Sequence, residues 1–423
     1  MSKVIVFKFG GASVKDADSI KNLSKIIFKR LQNPTIIVVS AMGKSTNALE
    51  AILDLKLRKN DISSNIHIFQ KYHLDICHQL FPSQHRVFSE LNGQFLSLSK
   101  LLEEELNVEN YDEFYDRTIC YGELISTIII QSYLMLSGIR CSWQDARECI
   151  ATNSDFRLAT VDWEQTTQQC NTILKPILTD QTIITQGFIG RDPQGKTTTL
   201  GREGSDFTAS ILAFCLEAGE VTIWKDVPGV LNADPKLFDK TTKFEELDYR
   251  EAAELTYYGA SVIHPKTIKP LANLNIPLIV RSFLEPDEKG TIIHNVPKTN
   301  QTPCIVVKGN QILVSFRVND FTFINESHIH QIYAVLEKLK LKVNLLQTSA
   351  ISISIVIDEQ IFKLEKLVQE LAADFTIRYN EKLFLLTVKN HHEASVKELS
   401  ANKEIMLEQI TRNTFQMVYK PIL

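Results

Sequence analysis

Residues 4–14, VIVFKFGGASV, decide the fold. Short apolar, β-branched residues around Lys8 run into Gly10-Gly11, the pattern of a buried strand that ends where the backbone can approach another group closely. The helix-length segment that follows can turn its first amides and its positive dipole end toward an anion held at that turn, with Lys8 beside it. The lysine precedes the glycines, so this is neither the GxxxxGK[ST] phosphate loop nor a GxGxxG fingerprint. Taken alone, the same residues also read as a plain tight turn.

Outward from this strand, residues 1 to about 300 alternate short strand runs with amphipathic stretches. Val4 to Phe9, Thr35 to Val39, Thr182 to Gly187, Val221 to Trp224 and Pro277 to Val280 are β-branched and bounded by glycine, serine or proline. Ser19 to Leu31 and Arg250 to Tyr258 are long enough to cross over to the next parallel strand. The expectation is an open, mainly parallel α/β sheet sandwiched by helices. From about Asn47 to Leu106 the pattern is helical and poor in strands, which predicts a helical insertion able to form a lid or an intersubunit surface, with neither role legible directly.

Glycine marks a change of architecture. All 16 glycines lie between Gly10 and Gly309, and the last 114 residues hold none. The turn-rich stretch 285–301, EPDEKGTIIHNVPKTNQ, is read as the boundary, with one domain over 1–300 and another over 301–423. Beyond it the order is strand (Ile312 to Val318), helix (His330 to Leu341), strands (Lys342 to Gln347, Ile351 to Ile357), helix (Ile361 to Ala373) and strand (Phe375 to Arg378). That βαββαβ order predicts a ferredoxin-like unit over about 311–379. Ile351, Ile353, Ile355 and Ile357 have strand period two and are expected on its buried face. A second, partial pass follows from Leu383 to Tyr419, with a helical stretch around Ala394 to Ser400 and without a final helix and strand.

Composition narrows the setting. The chain has 423 residues, 44% hydrophobic and 23% charged, so disordered, coiled-coil and small disulfide-scaffold classes are excluded. Its net charge of -4 supplies no field for nucleic acid or acidic lipid, and neither is expected as a partner. Seven scattered cysteines without a CxxC pair fit reduced thiols in a cytoplasmic protein. No cleavage site follows the start and no run reaches about 18 apolar residues, so secretion and membrane spanning are disfavoured. His73, Cys77 and His78 share neighbouring helical faces, but no fourth ligand lies near, and no resident metal site is expected. His328 with His330 and His391 with His392 read as solvated loop or helix-start residues.

Three further patches carry chemistry. In 197–213, TTTLGREGSDFTASILA, Gly201 and Gly204 bracket a turn, Ser205 is read as capping the next helix, and Arg202 and Asp206 bring opposite charges to one place. An arginine there can grip a carboxylate or phosphate through two parallel hydrogen bonds; an ordinary capped helix is the plainer reading. Gly187, Gly190 and Gly195 just upstream predict a β-hairpin over the site. In CYGELIST, Glu123 is read as opening an apolar helix, Leu124 to Tyr133, where a carboxylate can receive an ammonium or simply serve the helix dipole. In 222–236, a strand ends in Lys225-Asp226 and a proline-glycine turn, then Asp234-Pro235-Lys236, at the strand end where α/β sheets bind nucleotides.

Taken together, KFGGAS, VVSAMGKSTN, GELIST, TQGFIG with TTTLGREGSD, WKDVPGVLNADP and YYGASVIHPKT closely resemble the aspartokinases, motif by motif and in order, over residues 3 to 300. The resemblance implies an amino-acid-kinase fold and Mg²⁺-dependent transfer of the ATP γ-phosphoryl group to the side-chain carboxylate of L-aspartate. It assigns Lys8 to neutralising the transferring phosphoryl, with Gly10, Gly11, Ser13 and Gly204 at the phosphates. It places Ser40, Thr46, Glu123, Arg202, Ser205 and Asp206 around aspartate: Arg202 for the α-carboxylate, Glu123 for the ammonium, and Asp206 to place the reacting groups. Lys225, Asp226, Pro235 and Lys236 fall in its ATP segment. The tail is similar to the family's paired ACT domains, one inserted in the other, so that Cys304 to Lys308 would join the partial unit.

The chain departs from the family pattern at four positions. Ala12 stands for a common threonine, Glu203 for the glycine of GRGGSD, Lys225 for a frequent threonine, and Ser261 for a lysine whose ATP contact Lys266 or Lys225 would replace. Glu203 is expected either to pair with Arg202 or to point to solvent. Two other readings remain: an amino-acid-binding regulatory protein that has lost turnover, and a kinase of the same family acting on another acceptor. The family's ACT units often bind lysine or threonine beside a glycine-containing loop. Here that loop, VNDFTFINESHIHQIY, has none, which predicts weak, altered or absent lysine inhibition and a tail that serves assembly of a homodimer or higher homo-oligomer.

Overall fold

The computed structural model describes residues 3–31, 34–259, 263–296, 302–320 and 322–421. They fall into two compact units, one of residues 1–230, 243–253 and 262–299, the other of 231–242, 254–261 and 300–423. The expected boundary stretch runs into residues 297–301, outside the described residues.

The first unit is built on strands β1 (Ile5–Phe9), β2 (Thr35–Val39), β3 (Cys141–Gln144), β4 (Thr182–Gln186), β5 (Ile189–Arg191), β6 (Thr197–Thr199), β7 (Glu220–Lys225), β8 (Glu246–Asp248), β9 (Leu278–Ser282) and β10 (Thr291–His294). Eight of them form one sheet in the order β3-β4-β2-β1-β7-β9-β10-β8, parallel except where β10 runs against β9. Its central strands are buried on both faces and therefore read as continuous apolar runs. β1 pairs with β2 on one side, Phe9 beside Val39, and with β7 on the other, Phe9 beside Trp224. The chain thus leaves β1 in one direction and returns on its other side, and the carboxyl ends of β1, β2 and β7 frame a crevice.

Helices α1 (Ala17–Phe28), α2 (Ser45–Leu57), α3 (Ser63–Leu80), α4 (Val87–Glu103) and α5 (Tyr111–Leu136) follow in the first third. Asp16 starts α1 by accepting a 2.8 Å hydrogen bond from the Ser19 amide. The expected helical insertion is α2 to α4. Its residues Leu49, Ile52, Phe69, Leu91 and Leu98 join one core with Phe7, Phe9 and Val39 of the sheet, so it is a packed layer of this unit. α5 is long and apolar enough by length and composition to cross a membrane, yet 72% of its most apolar window is buried inside the unit. α6 (Trp163–Gln169) continues through one π turn into α7 (Lys175–Ile177), and α8 (Gly204–Cys215), α9 (Tyr249–Tyr258) and α10 (Pro265–Asn273) complete the helices up to residue 273.

In the second unit, β11 (Cys304–Val318), α11 (Glu326–Lys338), β12 (Val343–Thr348), β13 (Ser352–Asp358), α12 (Ile361–Leu371), β14 (Phe375–Lys389), α13 (Glu393–Ser400), β15 (Lys403–Ile410) and β16 (Thr414–Pro421) make a six-stranded sheet, β12-β13-β11-β14-β16-β15. β11 and β14 are 15 residues each and serve two halves. Their distal parts, 311–318 and 375–380, join β12 and β13 under α11 and α12, a complete ferredoxin-like unit with Ile312, Val314, Phe316, Leu364 and Leu367 in its core. Their proximal parts pair Cys304–Lys308 with Leu385–Lys389 beside β16 and β15. The partial copy therefore has its fourth strand, supplied by residues that precede the complete ferredoxin-like half, and lacks only a second helix. The register shifts between Lys308 and Gln311, where Asn310 takes a left-handed φ of 52°.

The expected isoleucine stripe needs a correction. Ile353, Ile355 and Ile357 are buried, but Ile351 precedes the strand in a turn and is 44% exposed. His328 and His392 each complete a capping box at a helix start, the first with Asn325 and the second with Ser395.

Candidate active site

The crevice is lined by loops that touch backbone to backbone. The Ser40 amide donates to the Phe9 carbonyl, the Gly43 amide to the Gly11 carbonyl and the Gly187 amide to the Val39 carbonyl. A Cβ on Gly11 would stand 2.7 Å from the Ala41 carbonyl oxygen, and one on Gly187 only 2.4 Å from Ser205 Cβ. Gly11 thus lets the end of β1 close on the loop after β2, and Gly187 lets the end of β4 close on the start of α8. Gly122 does the same on α5, where a Cβ would meet that of Ala41 at 2.9 Å.

Within the crevice Lys8, the fourth residue of β1, is only 8% exposed. Its Nζ lies 2.5 Å from Asp206 Oδ1, and Lys225 Nζ lies 3.3 Å from Asp206 Oδ2. Burial pushes the Asp206 carboxyl up, but the two ammonium groups outweigh it and hold the group below the usual carboxylate range. Two lysines on strands either side of one carboxylate leave a net positive charge facing the crevice, suited to a polyanion.

Glu123 is 3% exposed and sits in the middle of α5, not at its start as expected. The residues from Tyr111 onward continue the helix, because the glycine before Glu123 is used for close packing and not as a break. Its Oε1 accepts from the Ala41 amide at 3.3 Å, while Oε2 is buried without a hydrogen-bond partner. Burial drives its pKa up to about 8, with the Ala41 amide and Lys8 opposing weakly. A buried carboxylate oxygen with nothing bound to it is suited to a cation.

Ser205 is also corrected: Glu203 occupies the N-cap position of α8, and Ser205 lies in its first turn, packed on Gly187. Gly204 opens that helix. Arg202 is exposed, and among the described residues neither it nor Glu203 forms an ion pair, so the expected pairing of the two is not seen. The Glu203 backbone is left-handed, φ 54°, and its Oε2 is buried without a hydrogen bond.

Ser13 donates its hydroxyl to the Trp224 carbonyl at 3.4 Å and so ties the turn after β1 to β7. Ser40 is half-buried, its carbonyl accepting from the Ser126 hydroxyl at 2.8 Å, and Thr46 lies in the first turn of α2. Asp226 follows β7 and is exposed. Pro235 and Lys236 belong to the second unit and Ser261 lies outside the described residues. Lys266 lines a groove of about 340 Å³ with Trp163, Phe207, Phe214, Lys269 and Pro270, which includes neither Lys8 nor Asp206. The predicted hairpin is β5-β6.

Two groups escaped the sequence reading. Asp116 is fully buried and takes hydrogen bonds from the Thr199 hydroxyl (2.7 Å), the Thr199 amide (2.8 Å) and the Arg157 amide (2.9 Å). It thereby fixes the strand that leads into Gly201 and Arg202. Its place two helical turns before Glu123 on one face was the available signal. Thr127 accepts from Gln186 Nε2 and Trp143 Nε1, joining α5 to the sheet. His73, considered for a metal, spends both ring nitrogens, on the Phe69 carbonyl at 2.8 Å and the Ser45 hydroxyl at 3.1 Å. Among the described residues no three His, Cys, Asp or Glu side chains gather as a metal site.

Residues 3–282 match the amino acid kinase family. Lysine-sensitive aspartokinase 3 of Escherichia coli is 31% identical over 362 residues, 85% of this chain and 79% of that protein. The chain belongs to the aspartokinases of the amino acid kinase family. It spans about a third of the maize bifunctional aspartokinase/homoserine dehydrogenase that it also matches. Among solved structures, the family member E. coli aspartokinase III with aspartate and ADP, in its R-state, superimposes with a TM-score of 0.85 at 26% identity, covering 99% of this chain and 96% of that one. The same enzyme with lysine and aspartate, in its T-state, gives 0.79 over the same shares.

Proposed function

We propose that this chain is an aspartate kinase, transferring the γ-phosphoryl group of ATP to the side-chain carboxylate of L-aspartate to give 4-phospho-L-aspartate and ADP. The reaction opens the route to lysine, threonine and methionine. The observation that carries this reading is Asp206 held between Lys8 and Lys225 at the sheet's switch point.

Phosphoryl transfer asks for alignment and for stabilisation of negative charge, with little covalent work by the protein. Lys8 meets the developing charge on the transferring group, Asp206 fixes the lysine's position, and the amides around Gly10, Gly11 and Gly204 receive phosphate oxygens. Lys225 and Asp226 hold ATP from the end of β7, and the family pattern alone assigns Pro235 and Lys236 to the nucleotide. The acceptor carboxylate is ionised near neutral pH, so no strong general base is needed. Glu123 takes the substrate ammonium, which lowers the cost of ionising it in the interior. Arg202 grips the α-carboxylate, and Ser40, Thr46 and Ser205 complete the aspartate pocket. A divalent cation brought with ATP would supply further screening of the phosphate charge, beside that given by Lys8 and Lys225.

The complex of the E. coli relative with lysine supports an amino-acid effector for this chain, and we place that effector at the ferredoxin-like ACT units. The glycine-free turn after β11 supports weak, altered or absent inhibition by lysine here, and we assign these units to homo-oligomeric assembly of a cytoplasmic enzyme. Trapping the product as its hydroxamate tests the reading, with ATP and Mg²⁺ required; folded protein giving no signal overturns it. Inhibition by low-micromolar lysine in that assay would refute the regulatory part.

A further inference from the structure

The Lys8 cluster has two buried carboxylate oxygens for which no hydrogen-bonding or ion-pair partner exists among the described residues, Glu123 Oε2 and Glu203 Oε2. Resting on the kinase reading above, the substrate brings one ammonium, and Glu123 receives it. Glu203 is left over.

Its position is costly to maintain. A left-handed backbone is unfavourable for a residue with a Cβ, and this is the place where the related motif carries glycine. The start of α8 nevertheless holds it: the Asp206 and Phe207 amides both donate to the Glu203 carbonyl, at 3.1 and 3.2 Å. Its side chain is buried enough to raise its pKa, and Lys225, Asp206, Arg202 and Lys8 are the charges it feels. Lys225 is itself drawn to Asp206 at 3.3 Å. The other cation that enters this site is the divalent ion of ATP.

Magnesium is typically held by one or two carboxylates together with substrate phosphates and water, so a single glutamate suffices and no preformed trio is needed. The orphaned oxygen fits that ion. We infer that Glu203 is a ligand, directly or through one water, of the divalent cation that accompanies ATP. The substitution that removes the family glycine thereby adds a metal contact specific to this chain, and Lys225, the second departure, balances the charge that Glu203 introduces.

The test uses the full-length protein with saturating ADP and Mn²⁺ as the probe, free Mn²⁺ being read by electron paramagnetic resonance. Wild type should bind Mn²⁺ more tightly than ADP does in solution, and Glu203→Gln and Glu203→Gly should each weaken it at least about tenfold. ADP affinity measured calorimetrically in EDTA should be unchanged or stronger in both variants. Glu203→Gly also relieves the left-handed strain, so its Tm should equal or exceed that of wild type, which separates metal loss from misfolding. Mn²⁺ binding unchanged in both variants overturns the inference while ADP binding leaves the kinase reading intact. Absence of ADP binding by wild type overturns both.

Discussion

Lys8 Nζ and Asp206 Oδ1 lie 2.5 Å apart although 198 positions separate them, and both side chains are nearly sealed from water. The pair joins the sheet's central strand to the first turn of α8. Removing one partner leaves a buried charge, so Asp206→Asn should destabilise the fold by about 3 kcal/mol, and Lys8→Ala should lower kcat by roughly 10²–10³. Denaturant titration and the hydroxamate assay measure the two effects.

The Asp206 pair also has an acid signature. Its carboxyl is held below its unfolded value of 3.8, so its stabilising contribution is complete above that pH and is lost as the pH falls through the lower, folded value. Acid unfolding of Asp206→Asn should lack this component, with its midpoint shifting less steeply than that of wild type below pH 4.

Glu123 behaves oppositely. Its carboxyl is raised from 4.5 to about 8, so between these values the folded protein retains a proton that the unfolded chain has lost, and stability falls as pH rises across the window. At pH 7 this costs about 3 kcal/mol. Glu123→Gln should therefore be more stable than wild type at pH 7, by up to that amount, with the gain vanishing near pH 4. The same variant should raise KM for aspartate at least about tenfold while KM for ATP stays within about twofold.

Asp116 is raised to about 6 by burial, against the opposing hydrogen bonds of Arg157 and Thr199. Asp116→Ala leaves the Thr199 amide and hydroxyl and the Arg157 amide without their acceptor, and should cost about 3 kcal/mol. Asp116→Asn keeps an acceptor and should lose much less. Because Thr199 leads to Arg202, the alanine variant should also raise KM for aspartate more than KM for ATP.

Gly187→Ala tests the closeness of β4 and α8. Its Cβ would fall 2.7 Å from the Ser205 Cα, a backbone contact that no rotamer relieves. Displacing α8 moves Asp206 and Ser205, so kcat/KM should drop by about 10² or more, with a stability loss of about 1–3 kcal/mol.

The strands were legible because β1, β2 and β7 are short β-branched runs whose burial needs no distant partner to be recognised. The candidate site was legible where glycines sit: Gly11 and Gly187 stand where backbones touch, a requirement that leaves its mark on sequence. Buried charge on a long helix was harder to see. Asp116 and Glu123 lie mid-helix on α5, and a carboxylate in an apolar helix looks like a boundary unless its partners, Thr199 and Ala41, are already known. Glu203 resisted reading for a related reason, because a left-handed glutamate is stabilised by the α8 amides around it, not by anything adjacent in its own side-chain chemistry. Ile351 shows the limit of periodicity, which continues one step into a turn that no longer presents the same face.

The shared strand β11 has a kinetic consequence. Cys304 finds its neighbour Lys389 only 85 positions later, so during synthesis the proximal part of β11 waits about 4–17 s for the strand that covers it. Throughout that interval it is an open edge able to pair with another nascent chain. A ribosome pausing before Leu383 prolongs that exposure and a chain cut there makes it permanent, so the last 41 residues act on the solubility of everything made before them.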